Sequence, residues 1–231
     1  MRKIFTAFVA LFASATFAPA QADSTAAVAT AQTSAPVSIA TVDYSVPMAP
    51  KAFPNIKIEN FGQMDERVYR GAQPTADDYR SLKELGISTV IDLRKDNEDY
   101  SKSTVEGLGM KYVHIPMTGW TTKDSSVAEF LRAVNDTSNG KIYIHCAAGK
   151  HRTGLVGAVY RLENYGWDYD TAYKEMKNFG YFSGLFHRKI KGYVKDYYEE
   201  FGPEKQAAYK AAKAAKTAAA AGGQVSMTTA N

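Results

Sequence analysis

The stretch HCAAGKHRTG, His145 to Gly154, decides how the chain is to be read. It continues KIYIH (141–145), a β-branched and aromatic run that predicts a strand. It precedes Leu155, Val156, Val159 and Leu162, whose helical spacing carries a predicted helix to Gly166. Cys146 therefore stands where a strand ends and a helix begins, among backbone N–H groups and at the positive end of a helix dipole. Both lower a thiol's pKa and favour the nucleophilic thiolate. Ala147, Ala148 and Gly149 let the backbone curl tightly, so that several N–H groups can converge on one anion. Arg152 returns to the same side with a planar fork suited to two oxygens of a phosphate. Such a loop can hold a tetrahedral oxyanion above a thiolate, which is the equipment for attack on phosphorus through a cysteinyl-phosphate intermediate.

Outward from this loop, strands and helices alternate. ERVYRG (66–71), STVIDLR (88–94) and KYVHIPM (111–117) read as strands. Thr75 starts a helix with Asp78 at its third position and Gly86 as its stop. Ser126 and Glu129 form an S-x-x-E capping box ahead of Val127, Phe130, Leu131 and Val134. Further helical patterns run from Thr171 to Asn178 and from Phe186 to Phe201. The expected fold is α/β, a small central and mostly parallel sheet flanked by helices.

The ends have a different character. Arg2 and Lys3, an uncharged and mostly apolar run from Ile4 to Ala18, and Ala20-Gln21-Ala22 before Asp23 make residues 1–22 a secretory signal peptide. The expected protein is exported, periplasmic or secreted, with no integral membrane span once the signal is cleaved. Residues 23–55, rich in Ala, Thr, Ser, Val and Pro, read as a disordered linker. Residues 204–231 form an Ala/Lys-rich low-complexity tail, either a solvated extension of the last helix or a cationic handle for an anionic surface. That leaves 56–203 as the domain, expected to be monomeric. The net charge of +4 resides in the ends, and 56–203 is balanced, which argues against a broad nucleic-acid-binding surface. One cysteine allows no internal disulfide and marks a thiol to be considered reactive. Four histidines and that cysteine are poor material for a structural zinc site, so neither metal nor cofactor is expected.

HCAAGKHRTG resembles the signature loop of the protein tyrosine phosphatase superfamily, H-C-x5-R-[ST], with His145, Cys146, Gly149, Arg152 and Thr153 at the fixed positions. Upstream, NFGQMDERVYRGAQPTADDYRSLKELGISTVIDLR is similar to the opening of compact dual-specificity phosphatases, in particular the atypical plant-and-fungal-like group and its bacterial relatives. Tyr69, Arg70, Gln73 and Pro74 fit that opening, and the likeness covers roughly residues 58 to 200. The resemblance implies a dual-specificity phosphatase-like fold, Cys146 as nucleophile and Arg152 as phosphate clamp. It also implies that the Thr153 hydroxyl bonds the thiolate, that His145 orients the loop, and that the upstream residues brace it. The substrate would lie against Ala147, Ala148, Gly149, Lys150, His151 and Thr153.

A proton donor helps expel an alkoxide or phenoxide. The resemblance implies an aspartate on the loop before the preceding helix. Asp124 is the acid of GWTTKDSS (119–126), with Asp92 and Asp96 in reserve. Lys150 and His151 make the loop basic. Loops of the form C-x-x-G-K-x-R resemble those of phosphoinositide and inositol-phosphate phosphatases, and the same charge suits substrates with more than one phosphate. The aromatic segment NFGYFSGLFH (178–187) can instead line a phosphotyrosine pocket. The expected partner is thus a phosphorylated protein or a phosphorylated small molecule or lipid. The rival readings are a rhodanese-like sulfurtransferase and a non-catalytic phosphate-binding module. Arg152-Thr153 and the upstream opening argue against the first, and retention of Cys146 with Arg152 argues against the second.

Overall fold

The chain divides into two units, Met1–Thr41 and Val42–Asn231. The structure, a computed structural model, describes residues 43–96, 100–118, 122–184 and 187–225, all within the second unit. The expected signal peptide and residues 23–42 of the expected linker lie outside the described residues.

Five strands form one sheet in the order β1 (Gly62–Gln63), β2 (Val68–Gly71), β5 (Lys141–His145), β3 (Ile87–Asp92) and β4 (Lys111–His114). Only β1 runs antiparallel. The central strand β5 pairs on both sides, setting Gly71 and Asp92 beside His145. Three strands thus end together at one edge, where open α/β sheets place their ligand sites.

Side chains alternate between two cores, as strand geometry requires. Val68, Ile91, Ile142 and Ile144 face one side, under α3 (Asp124–Asn135), α4 (Arg152–Tyr165), α5 (Tyr169–Asn178) and α6 (Arg188–Val225). Tyr69, Val90 and Tyr143 face the other, under α1 (Ala76–Glu84) and α2 (Tyr100–Gly107). Helix α4 is buried without a break from Thr153 to Leu162, which is why its sequence is apolar nearly all round. It ends on Gly166 at φ 55°, the left-handed conformation in which glycine carries no Cβ penalty.

Helix α1 starts as expected. The Thr75 hydroxyl accepts from the Asp78 amide while the Asp78 carboxylate accepts from the Thr75 amide. Helix α3 does not start at the expected Ser126/Glu129 box. The Ser126 and Val127 amides bond the Lys123 carbonyl at 3.0 and 3.2 Å, so Lys123 is the N-cap and Asp124 opens the first turn. The carboxylate at that end meets the favourable pole of the helix dipole. Helix α2 and the two-residue β1 were not expected.

Residues 43–55, the C-terminal part of the expected linker, make contacts with the sheet and helices. The Tyr44 carbonyl accepts from Arg161, the Met48 amide donates to Glu175 at 3.0 Å, and Phe53 packs edge-on to Phe61. The first two contacts satisfy Arg161 and Glu175, a buried ion pair at 2.9 Å whose guanidinium also stacks on Trp167. At the other end the expected boundary at 203 falls inside α6, which passes Pro203 and keeps touching α4. Lys205 pairs with Glu163 at 2.9 Å, and the Tyr209 ring lies 6.4 Å from that of Tyr165. Among the described residues no helix is long and apolar enough to cross a membrane.

Candidate active site

Cys146 is the first residue beyond the central strand, and Arg152 is the first of α4. The bend between them is held by its carbonyls. His145 O accepts from the Leu93 amide at 2.9 Å and Ala147 O from the Gln73 amide at 3.0 Å. Gly149 O accepts from both Arg70 Nη2 and Asn60 Nδ2 at 3.0 Å. Lys150 O and His151 O accept from Gly154 and Leu155 in the first turn of α4. Of the loop amides, those of Gly149 and Thr153 address the sulfur. Gly149 has φ +67°, and a Cβ there would collide with the Gly71 carbonyl, so glycine is required on both counts.

Cys146 is almost wholly buried. Burial alone pushes its thiol up. The Thr153 hydroxyl, the Arg152 guanidinium and the Thr153 and Gly149 amides outweigh burial and hold it below the ordinary range. Thr153 Oγ1 is buried without a hydrogen-bond partner of good geometry, and its hydroxyl leads the groups that lower the thiol's pKa. Arg152 Nη1 donates to the carbonyls of Leu93 at 3.2 Å and Met117 at 3.4 Å. That fixes the fork at the loop's rim with N–H groups to spare for a phosphate.

His145 is fully enclosed. It stacks on Tyr143 and lies with Nδ1 3.9 Å from Asp92 Oδ1 and 3.4 Å from its neighbour's carbonyl. Asp92 is fixed in turn by Arg94 at 2.6 Å and the Tyr112 hydroxyl at 2.7 Å. Its burial opposes charge, but Arg94, His145 and Tyr112 hold the carboxyl below its usual range. A carboxylate so engaged is a brace for the loop and is no longer a reserve proton donor. Asp96 is exposed beyond the end of β3.

Asp124 stands on the first turn of α3 and accepts from Tyr193 Oη at 2.8 Å. Its side chain thus faces α6, and its described contacts do not join it to the loop. Part of the segment that carries it, residues 119–121, lies outside the described residues.

The expected basicity of the loop is halved. The Lys150 stem packs over Gly180. His151 stacks on His187 with ring centroids 3.5 Å apart and meets Phe182 edge-on at 4.6 Å. Burial first, then His187, Lys150 and Arg152, lower its pKa to about 4, so it is neutral at pH 7. Asn60 and His187 stand at the ends of two segments read in the sequence, 60–94 and 178–187, where neither was given a role of its own. Asn60 is placed by a left-handed backbone, φ 56°, and His187 by the turn into α6. Among the described residues no three His, Cys, Asp or Glu side chains cluster as metal ligands.

A model of the tyrosine phosphatase family matches residues 55–217. Among curated proteins, the dual specificity protein phosphatase TpbA of Pseudomonas aeruginosa is 30% identical over 137 residues, 59% of this chain and 62% of that protein. The inositol diphosphatase DSP4 of Arabidopsis thaliana is 28% identical over 134 residues, 52% of this chain and 63% of that protein. The chain thus spans a little over three-fifths of the length of these relatives. The crystal structure of P. aeruginosa TpbA superposes with a TM-score of 0.57 at 26% identity, covering 71% of this chain and 97% of that one. The catalytic core of the PP-IP phosphatase SIW14 of S. cerevisiae shares the fold, with a TM-score of 0.52 at 23% identity over 63% of this chain and 94% of that one.

Proposed function

The chain belongs to the tyrosine phosphatase family, and from that premise we propose that it is an exported, cysteine-dependent phosphatase. The observation that carries this reading is the loop, whose Gly149 and Thr153 amides, with Arg152, address a thiol of lowered pKa. The Cys146 thiolate attacks phosphorus, the bond to the leaving oxygen breaks, and a cysteinyl-phosphate forms. The loop amides and the Arg152 fork stabilise the charge on the transferring phosphoryl oxygens. Water then attacks phosphorus, the S–P bond breaks, and phosphate leaves with the thiolate restored. Asp124 is the candidate proton donor to the leaving oxygen and base toward water. Its bond to Tyr193 would have to open for that role.

The proposed substrate is a phosphoprotein or a phosphoinositide or inositol phosphate. The dual specificity and inositol diphosphatase names among the relatives point to these two classes. The lysine at position 150, inside the loop sequence, suits the polyphosphorylated class. Export rests on the sequence of residues 1–22 and is tested by fractionating cells and sequencing the mature N-terminus, expected at Asp23. The activity is tested with the mature chain and its Cys146→Ser variant, in chelator, on a phenyl phosphate, a phosphotyrosine peptide, phosphoinositides and inositol phosphates including a pyrophosphate. Thiol-dependent release on any member supports the reading, and the ranking assigns the class. A folded protein with a titratable thiol and no release on any member overturns it.

A further inference from the structure

Between α3 and α6 lies a cavity of about 490 Å³ whose lining includes the candidate proton donor Asp124 but no residue of the phosphate loop. Val127, Ala128 and Leu131 of α3 and Tyr193, Tyr197 and Phe201 of α6 supply apolar and aromatic walls, and Asp124, Asp196 and Glu200 supply carboxylates. None of the three carboxylates has an ion-pair partner among the described residues; Asp124 accepts only from Tyr193. Electron-rich ring faces with uncompensated carboxylates are complementary to an organic cation carried on an apolar body. The groove is elongated. Asp124 to Leu131 and Tyr193 to Phe201 each cover about two turns, roughly 11 Å along the helix axis. The carboxylates are distributed along that length, so an extended occupant meets them better than a compact amine.

We propose that this groove docks a peptide segment of a protein partner in which lysine or arginine alternates with apolar side chains. The chain would then hold such a protein by a surface of its own, apart from the phosphate loop.

The test uses the full chain and a fluorescein-labelled, end-capped peptide, Ala-Leu-Arg-Ala-Leu-Lys-Ala. Its counterpart has glutamine at both cationic positions, and phenyltrimethylammonium is the small competitor. Asp196 and Glu200 are exposed, so Asp196→Asn with Glu200→Gln should fold, which an unchanged thermal midpoint checks. The expected result is saturable anisotropy with the cationic peptide, weakened about fivefold or more by the double variant and by raised salt. Asp196→Lys with Glu200→Lys should abolish it. Equal binding of the glutamine peptide, equal binding by the double variant, or no binding of the cationic peptide would overturn the proposal. So would displacement by phenyltrimethylammonium at the peptide's own concentration, which would make the groove a small-amine site. Concentration-dependent self-association lost in the double variant would assign the groove to a second copy and overturn it as well.

Discussion

At Cys146, burial and hydrogen bonding pull the thiol pKa in opposite directions, and Thr153 is the first group on the lowering side. Thr153→Val removes that donor and keeps the shape, so the thiol pKa should rise. Iodoacetamide should then alkylate the variant more slowly than the wild type at pH 6. Unchanged alkylation would show that Thr153 does not tune the sulfur. His151 is the opposite case, a basic side chain kept neutral. It should stay unprotonated as pH falls through the ordinary histidine range and titrate only near 4. The unfolded chain takes up its proton near 6.5, so this residue favours unfolding progressively as pH falls from there toward 4. Nitrogen-detected NMR of the imidazoles checks the value. His187→Ala should raise it, and a wild-type midpoint near 6.5 would contradict the stacked arrangement. In the sequence both basic residues of the loop read as charge at the mouth. Spacing could not reveal that His187, 36 positions on, covers one of them.

The elements most legible in the sequence were those whose ends are set by local chemistry. Thr75 with Asp78 and Gly86 bound α1, and β5 runs straight into the loop. The start of α3 was misplaced by three residues, Ser126 against Lys123 as N-cap, because a complete capping-box pattern was present. The backbone instead closed its first turn on the Lys123 carbonyl. Helix α2, with only Ser101 and Val105 buried, offers no apolar stripe to detect. At this scale the chief support of the site is the end of β3. Asp92 ties Arg94 and Tyr112 together beside His145. Asp92→Asn leaves Arg94 buried without its counter-charge and should cost about 3 kcal/mol at pH 7 in urea unfolding. Because the Asp92 carboxyl is held below its unfolded value, its contribution is present above about pH 4 and is lost as pH falls through the folded value. Variant and wild type should therefore converge in acid. A loss that did not change with pH would assign the effect to packing.

For the molecule as a whole, contacts run across the domain edge expected at residue 56, from residues 43–48 to Arg161 and Glu175. Residues 43–48 have the composition of a linker, yet their backbone groups satisfy Arg161 and Glu175, two charges buried within the domain. Composition reports side chains, and these bonds come mainly from the backbone. A chain beginning at residue 51 should accordingly be less stable than one beginning at 43 by about 2 kcal/mol, the scale of hydrogen bonds to charged groups. Equal urea midpoints would show the segment to be an ornament. The central claim, that this fold presents Cys146 as a nucleophile toward phosphorus, is tested most directly by trapping the intermediate. The mature chain would be mixed with excess p-nitrophenyl phosphate, quenched in alkaline denaturant within its first turnovers, digested at alkaline pH and mapped by mass spectrometry. The account predicts one phosphoryl group on the sulfur of Cys146, and none on the Cys146→Ser protein, which should also release no nitrophenol. Turnover that survives Cys146→Ser, or a phosphoryl group found on another side chain, would contradict it.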